Sequence, residues 1–557
     1  MIKRFKNRTR VINNDLIILV IILVAFWKFT VVEYVTDINL YDESGYLLSG
    51  VDLFKYGLPT AEEAPLYSVW YYILSLFQPD KVKLHYLNIR VLSTALPFFL
   101  YILLRRLRVP MLASVIVSGF VLLCDGNLFI EPKVSHLVII FSLLSLIVTT
   151  YINSFANSII VMSIGALLVS YMRPEYFLTY LLLCVLHFAF IILKIFVYSS
   201  KHYEMYSFGK QDLKYFSLFV VFVLLSSFFL IYVGVPAFKN NKGRSFGAFC
   251  QHFSLNWVDW TKSNLSPWQD CAEIIARNFG PAQSIYESAV YNPLIFGKHI
   301  RSNLKNMGKR LFALLLLPSS RFRNIEILLI CTIVVLYLYT VCKRSMSKVI
   351  IKEKIRSYKI MLIYLLMYST PGWVSVILIF PREHYLLLPT LFFIIAISTL
   401  ITSESSRPVP LKYRKLLVIG GIIIILVPTA EIIQAISHRD FPHKENLKTI
   451  NFLKSLRISE QVNLLAAEGQ YNIFIGDNYH RIAEYHKHIS FKEFMEEKKI
   501  DMIVLSKKLE EDARFRDDEE WKSFIINYDN FGYTKIKIEG TNRELLAKKV
   551  LLITDSK

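Results

Sequence analysis

Charged side chains are scarce in this sequence. Asp, Glu, Lys and Arg together make up 19% of its 557 residues, whereas ordinary soluble domains contain about 25%. Several motifs are also missing, because the chain has no glycine-rich nucleotide loop, no Cys-x-x-Cys pair, no His-Glu-x-x-His segment and no internal repeat. These absences argue against a soluble nucleotide-binding enzyme, a zinc peptidase of that type and a repeat protein.

Apolar residues are abundant instead, at 54% of the chain, and they are unevenly distributed. Residues 1–437 alternate long apolar runs with short charged connectors, whereas residues 438–557 have the composition of a soluble domain. Basic and acidic residues balance in the second part, so the whole net charge of +20 belongs to the first. Because the basic residues cluster between apolar runs, they indicate membrane topology, and no nucleic-acid partner is expected.

The apolar runs predict a multi-pass membrane protein. A helix needs about 20 apolar residues to cross the hydrocarbon core, and the first run has no small-residue cleavage site after it, which favours an uncleaved first helix. The predicted spans are 15–34, 87–104, 109–124, 134–151, 157–171, 175–196, 213–236, 323–342, 359–379, 384–402 and 416–437. The predicted fold class is therefore mainly α, with about eleven transmembrane helices (ten to twelve) and a small C-terminal α/β soluble domain.

Lysine and arginine residues mark one side of the membrane. Basic clusters follow the second, sixth, eighth and tenth predicted spans, as at Arg105–Arg108 and Lys343–Lys359. Short loops rich in these residues stay in the cytoplasm. We therefore expect a protein of the cytoplasmic (plasma) membrane with a cytoplasmic N-terminus. An odd number of spans makes the soluble domain periplasmic or extracellular, and the long loop 237–309 external.

The first external loop, about 35–86, contains two segments that predict short helices in the headgroup plane. Glu43–Tyr56 has one apolar side and ends at Gly57, and Pro65–Phe77 is aromatic and too short to span. The alternative is a solvated acidic loop with aromatic anchors.

Other polar residues lie at the external boundary of later spans. Asp125 follows the third span, and Glu131 and Lys133 precede the fourth. Carboxylates so close to hydrocarbon are costly unless they face a polar cavity, although Glu131 could also pair with Lys133 or lie among the headgroups. Arg382 and His384 open the tenth span as a cation pair suited to a phosphate, with an interfacial arginine as the alternative.

Two of the six cysteines, Cys250 and Cys271, fall in the long external loop. An oxidising compartment would allow them to form a disulfide, and two free thiols are the alternative.

The order of the external motifs carries a family resemblance. The motifs are Tyr41-Asp42-Glu43-Ser44-Gly45-Tyr46, Gly57-Leu58-Pro59, Ala64-Pro65-Leu66-Tyr67, Arg90, Glu131-Pro132 and Arg173-Pro174-Glu175. Together they resemble the polyprenyl-phosphate-sugar glycosyltransferases of the GT-C fold, which include aminoarabinose and protein O-mannosyl transferases. Pro381–Tyr385 is similar to that family's late Arg-Tyr-x-x-Pro segment, with two residues inserted between Arg and Tyr.

The resemblance implies an inverting glycosyltransferase with a polyprenyl-phosphate-sugar donor and an envelope lipid, glycan or protein acceptor. Asp42 matches the family's catalytic aspartate and would act as general base. Glu43 is the second catalytic candidate, although on a helix it points away from Asp42. The implied substrate-binding residues are Tyr46, Tyr67, Arg90, Asp125, Glu131, Lys133, Arg173, Glu175, Arg382, His384 and Tyr385. Some relatives use a divalent cation and others none, so no metal ligand is assigned.

Two other classes of membrane protein fit parts of the pattern. An O-antigen polymerase or ligase also has ten to twelve spans and a long late loop, but usually lacks the Asp-Glu loop and a sizeable soluble tail. A transporter would favour charges inside its spans and repeated halves, which the sequence lacks.

The soluble tail has the pattern of a small α/β domain. Val462–Ala467, Ile473–Ile475 and Met502–Leu505 predict buried strands, and Leu447–Leu456 and Phe491–Lys499 predict helices between them.

Overall fold

The computed structural model of this chain describes residues 36–201, 210–236, 243–315, 348–402, 444–482, 490–512 and 514–553, with isolated positions between 19 and 27. These residues are mainly helical and include one small β-sheet. The predicted spans 323–342 and 416–437 lie outside the described residues, and 15–34 lies almost entirely outside them.

The first loop folds into short helices, as its sequence predicts. They are α1 (Asp42–Val51), α2 (Leu53–Tyr56) and α3 (Pro65–Ser75). Gly57 ends α2 with a φ of 78°, a conformation that favours glycine. Helices α1 and α3 cross so closely at Gly50 that a Cβ there would overlap Tyr71.

The apolar runs form a bundle of helices. Its members are α4 (Lys81–Arg106), α5 (Met111–Leu123), the short α6 (Asp125–Leu128), α7 (Val134–Thr149), α8 (Phe155–Ser170), α9 (Phe177–Lys201), α10 (Lys210–Val233), α15 (Lys348–Leu378) and α16 (Glu383–Thr402). Helices are therefore found at each predicted span that the structure describes.

Five stretches in this bundle are long and apolar enough to cross a membrane. They are Lys81–Arg106, Pro174–Leu193, Phe216–Val233, Tyr358–Leu378 and Glu383–Leu400. Helix α10 has little protein around it and exposes large apolar side chains, including Leu224, Phe228 and Ile231. Exposed apolar surface on that scale requires a nonaqueous environment, so the chain is a membrane protein.

Residues 244–315, predicted only as a long loop, form a helical unit instead. It consists of α11 (Arg244–Thr261), α12 (Cys271–Phe279), α13 (Ile285–Tyr291) and α14 (Pro293–Leu315). Phe249 and Phe253 lie at the centre of its own apolar core. The unit was missed because its helices are amphipathic, unlike the continuous apolar runs that mark a span.

The C-terminal residues form an α/β domain around a five-stranded sheet. Its helices are α17 (Glu445–Ser455), α18 (Tyr471–Ile475), α19 (Phe491–Glu497), α20 (Lys507–Glu510), α21 (Glu519–Ile526) and α22 (Lys549–Ile553). Its strands are β1 (Val462–Leu465), β2 (Tyr479–Ile482), β3 (Met502–Leu505), β4 (Tyr533–Lys537) and β5 (Glu544–Lys548). The order is β2-β1-β3-β5-β4, with β1, β2 and β3 parallel and the last two strands antiparallel to their neighbours.

Side chains on β3 alternate between two apolar cores. Met502 and Val504 pack into the core that continues into the helical bundle, whereas Ile503 and Leu505 pack on the opposite face. Burial of both faces explains why this strand reads as a continuous apolar run.

One predicted strand is wrong. Ile473–Ile475 belongs to the helix α18, which packs Phe474 against His85 of the bundle with ring centroids 6.2 Å apart. A short apolar run does not by itself distinguish a strand from a buried helical turn. The strands β2, β4 and β5 were not predicted, because charged residues interrupt their apolar pattern.

The C-terminal domain is docked on the segment that leads into α1. Both carboxylate oxygens of Asp37 accept backbone N–H groups at the start of α17, from Asn446 at 2.8 Å and Leu447 at 3.0 Å. Asp37 thus caps a helix that lies far away in sequence. A Cβ at Gly469, which follows β1 with a φ of 118°, would overlap the carbonyl of Leu40.

Candidate functional site

One end of the bundle gathers the polar residues that the sequence singles out. The start of α4, the 131–133 segment, the 173–175 segment and the start of α16 all lie at this end, together with α1 and α3. The opposite end has contacts of its own, such as Arg106 Nε to Thr150 Oγ1 at 3.2 Å and Tyr358 to the Leu107 carbonyl at 3.0 Å.

Glu43 is the centre of a buried carboxylate cluster. Its Oε1 accepts hydrogen bonds from the Tyr67 hydroxyl at 2.5 Å, from the Tyr71 hydroxyl and from Asn88 Nδ2 at 2.9 Å. Its Oε2 accepts the backbone N–H of Lys133 at 2.6 Å. The carboxylate is fully buried and bound on both oxygens, as expected of a positioning residue.

Burial dominates the protonation of this cluster. Removal from water raises the pKa of Glu43, although the Tyr67 and Tyr71 hydroxyls and the Lys133 backbone oppose the shift. Burial also raises the pKa of Glu131 to about 8, and the nearby charge of Glu43 adds to the effect. Burial lowers the pKa of Lys133, whose Nζ donates to the carbonyls of Asn127 and Leu128 at 2.7 and 3.1 Å.

Asp42 has a different environment from its neighbour. It begins α1 and is exposed, whereas Glu43 faces the interior. Tyr46 lies one helical turn further along α1, where its buried ring packs against Tyr67. The Tyr46 hydroxyl accepts a hydrogen bond from Arg244 Nη2 at 2.5 Å. Asp42 therefore stands about 6 Å along the helix axis from a residue that is bound to a guanidinium.

Arg173, Arg244 and Arg382 form the arginine cluster. Arg173 pairs with Glu175 at 2.6 Å and donates to Ser135 Oγ at 2.6 Å. Its guanidinium also lies 4.8 Å from the ring centroid of Tyr385. Arg173 is thus held by partners that α7, α16 and the 3₁₀ turn Pro174–Tyr176 supply.

Arg244 and Arg382 complete the arginine cluster from opposite sides. Arg244 donates to the Glu62 carbonyl at 3.1 Å, and Arg382 lies 5.7 Å from the ring of Trp268. All three arginines are within electrostatic reach of His384. Burial, reinforced by the positive charge of Arg382, lowers the pKa of His252 to about 3. Among the described residues, Arg173 is the one guanidinium of the three that pairs with a carboxylate, that of Glu175, so the cluster suits an anionic ligand.

The remaining predicted residues lie at or beyond the edge of these clusters. Arg90 follows Asn88 by two residues, and its guanidinium lies 5.3 Å from the ring centroid of Trp27. Asp125 begins α6, and the structure does not describe its side chain. Cys250 and Cys271 are adjacent free thiols that interact with one another, so a disulfide between them stays a prediction.

Sequence reasoning missed several members of both clusters. Tyr71 and Asn88 bind Glu43, and Glu62 and Arg244 shape the arginine cluster. Arg244 lies 198 residues from the tyrosine that it contacts. Gly243 before it signals only a helix start, so no local pattern could reveal this partnership.

Comparison with known proteins does not assign this chain to a family. Neither protein families nor curated proteins match this chain. Within the described ranges, no three His, Cys, Asp or Glu side chains are arranged to bind a metal ion.

Proposed function

We propose that this protein is an integral membrane glycosyltransferase that moves a sugar from a polyprenyl-phosphate donor to a hydroxyl acceptor at the outer face of the membrane. Eleven spans, a cytoplasmic N-terminus and an external C-terminal domain complete the proposal. One observation carries it: the exposed carboxylate of Asp42 lies one helical turn from Tyr46, whose hydroxyl is bound to Arg244. This arrangement supports the proposal, because it puts a candidate base and a candidate anion site at the same end of the bundle.

In the proposed reaction, Asp42 accepts the proton of the acceptor hydroxyl as its oxygen attacks the anomeric carbon of the sugar. The new carbon–oxygen bond forms while the bond from the anomeric carbon to the phosphate oxygen breaks. The electron pair of that bond stays with the phosphate. A single displacement of this kind inverts the anomeric configuration.

The arginine cluster has the charge that the leaving phosphate needs. Arg173, Arg244 and Arg382 would bind the donor phosphate and stabilise the negative charge that grows on it during the reaction. Arg173 is prepared for this role because Ser135 and Glu175 fix its orientation before the ligand binds. Glu43 would act indirectly, by fixing α1 against α3 and α4.

Asp42→Asn tests the proposal, because the amide keeps the shape of the side chain and cannot accept the proton. We expect transfer of sugar from a polyprenyl-phosphate-sugar donor to membrane acceptors to fall by about a hundredfold or more, with donor binding largely kept. Asp52→Asn is the matched control, since it makes the same change at the other end of α1. Full transfer activity in Asp42→Asn would refute the role of this residue.

The donors and acceptors are open to direct assay. Mass spectrometry can compare the envelope glycolipids and glycans of cells that contain the protein with those of cells that lack it. We expect one sugar to be missing from the envelope of the cells that lack the protein. Flux of a solute into vesicles without any sugar transfer would favour a transporter instead.

A further inference from the structure

The carboxyl ends of the parallel strands in the C-terminal domain face the start of α1. Strands β1, β2 and β3 run parallel, so their carboxyl ends meet at one edge of the sheet, and α/β sheets bind ligands outside that edge. Gln470, which follows β1, donates its N–H to the Leu40 carbonyl at 3.0 Å. Lys508, which follows β3, donates to the hydroxyl of Tyr41. The sheet edge therefore lies directly beside Asp42, the next residue in the chain.

Three basic side chains converge on this edge, and among the described residues only Arg514 pairs with a carboxylate. Arg514 binds Asp512 through two hydrogen bonds, of 3.0 and 2.9 Å. Arg481, at the end of β2, is within electrostatic reach of both Arg514 and Tyr41. Among the described residues, no carboxylate forms an ion pair with Arg481 or Lys508.

Arg481 is in an environment that favours an added anion. Its Nε is buried and has no hydrogen-bond partner in the described part of the chain. Burial and the neighbouring Arg514 charge lower the pKa of Arg481. A buried guanidinium nitrogen that lacks a hydrogen-bond acceptor is unfavourable, and a bound anion would remove that penalty.

We propose that Arg481 and Lys508 bind a phosphate group at this sheet edge, and that the group belongs to the acceptor of the transferred sugar. A guanidinium and an ammonium group that both lie near Tyr41 match the oxygens of a phosphate ester. Tyr41 and Asp42 are consecutive, about 3.8 Å apart at their Cα atoms, so the bound acceptor would lie beside the base. The acceptor role rests on the proposed glycosyl transfer, whereas the phosphate site itself does not.

The binding test uses the purified full-length protein in detergent micelles and inorganic phosphate as the probe, with calorimetric titration as the measurement. We expect Arg481→Gln and Lys508→Gln each to weaken phosphate binding by about tenfold. Lys507→Gln is the matched control and is expected to bind within about twofold of the wild type. Lys507 lies next to Lys508 on α20, but it is exposed and pairs with Glu511 at 3.6 Å.

A second phosphate site at the arginine cluster would contribute to the same titration. Arg244→Gln removes a guanidinium from that cluster, and it is expected to leave the Arg481-dependent binding in place. If Arg244→Gln abolishes all phosphate binding while Arg481→Gln and Lys508→Gln change nothing, the sheet-edge site does not exist.

Two titrations distinguish the sources of the phosphate. A soluble hexose phosphate tests a glycan acceptor, and nanodiscs with phosphatidylglycerol, compared with phosphatidylcholine, test a lipid headgroup. Binding in either titration that depends on both Arg481 and Lys508 supports the site. Equal binding by wild type, Arg481→Gln and Lys508→Gln in both would overturn it.

Measurements of folding and of sugar transfer distinguish failure of the phosphate site from failure of the proposed function. Thermal unfolding checks each variant, and the exposed Lys508 carries the test if Arg481→Gln does not fold. Arg481-dependent phosphate binding with full activity in Asp42→Asn would remove the acceptor role and keep the site. Activity that depends on Asp42 without Arg481-dependent binding would remove the site and keep the proposed function.

Discussion

The two polar clusters at one end of the bundle use charge in opposite ways. In the buried carboxylate cluster, one carboxylate, Glu43, receives hydrogen bonds from Tyr67, Tyr71, Asn88 and the Lys133 backbone. In the arginine cluster, only one of the three guanidinium groups, that of Arg173, pairs with a carboxylate among the described residues. A carboxylate with both oxygens bound has little capacity for a ligand, whereas an excess of cations attracts one. The buried carboxylate cluster therefore stabilises the fold, whereas the arginine cluster is suited to binding an anion.

The largest effect is expected from Glu43→Ala. Loss of this carboxylate leaves the Tyr67 and Tyr71 hydroxyls and the Lys133 backbone N–H buried without their acceptor, which should destabilise the protein by about 3–5 kcal/mol. Thermal unfolding in detergent measures the change. Glu63→Ala, at an exposed position of the same loop, is the control. An unchanged unfolding temperature for Glu43→Ala would contradict the structural role of the cluster.

Arg244→Gln should weaken ligand binding more than stability, in contrast to Glu43→Ala. The change removes one cation from the arginine cluster, so a polyprenyl phosphate should bind about tenfold more weakly, while the unfolding temperature falls much less than in Glu43→Ala. Arg277→Gln is the control, because Arg277 is exposed on α12 and pairs with Glu273. If Arg244→Gln unfolds the protein as severely as Glu43→Ala does, the two clusters do not differ as proposed.

The pH dependence of stability sharpens the comparison further. Burial raises the pKa of Glu131 from 4.5 to about 8 in the folded protein. Between these two values the folded protein binds more protons at this site than the unfolded chain does. Stability from this site is therefore fully present below pH 4.5 and is lost as the pH rises toward 8.

Glu131→Gln is neutral at every pH, so its unfolding temperature should decline less steeply across that window than that of the wild type. The expected difference is a few degrees. Glu63→Gln controls for a general change in acidic charge, since Glu63 is exposed. Parallel curves for wild type and Glu131→Gln would show that Glu131 is ionised in the folded protein throughout.

The smallest effect on either cluster is expected from the cysteine pair. The Cys250 thiol lowers the pKa of Cys271 by hydrogen bonding to it. Cys271 should therefore react faster with an alkylating reagent than the control thiol, Cys184, does. Mild oxidation should link the two cysteines, as peptide mass spectrometry would detect. Polyprenyl-phosphate binding should change by less than about twofold, because neither sulfur contacts the arginine cluster. Cys184, in the apolar part of α9, serves as the control thiol.

The sequence predicted the helices of the bundle well and their partners poorly. Apolar runs of span length were recognised without any knowledge of contacts, because a continuous apolar stretch needs an apolar surrounding. The helical unit around Phe249 and Phe253 was not recognised, since its apolar residues are spaced along amphipathic helices. Ile473–Ile475 was assigned to the wrong element, because its burial comes from contact with the distant bundle.

The same limit applies to the candidate sites. Asp42, Arg173 and Arg382 stood out through local motifs, and the structure brings Arg173 and Arg382 to one cluster. Arg244 did not stand out, because its significance depends on a tyrosine 198 residues away. Arg481 likewise becomes notable only when the carboxyl edge of the sheet is docked on Tyr41.

By itself, the sequence determined that this chain is a membrane protein with mainly helical structure and a small α/β domain, because hydrophobic length and charge patterning are local properties. Tertiary structure alone decided that Glu43 and Asp42, adjacent in the chain, have opposite environments. A helix turns consecutive side chains by about 100°, so one faces the buried donors of α3 and α4, and the other faces solvent beside the docked sheet edge. Burial and counter-charges, which come from distant residues, thus separate a structural carboxylate from a free one.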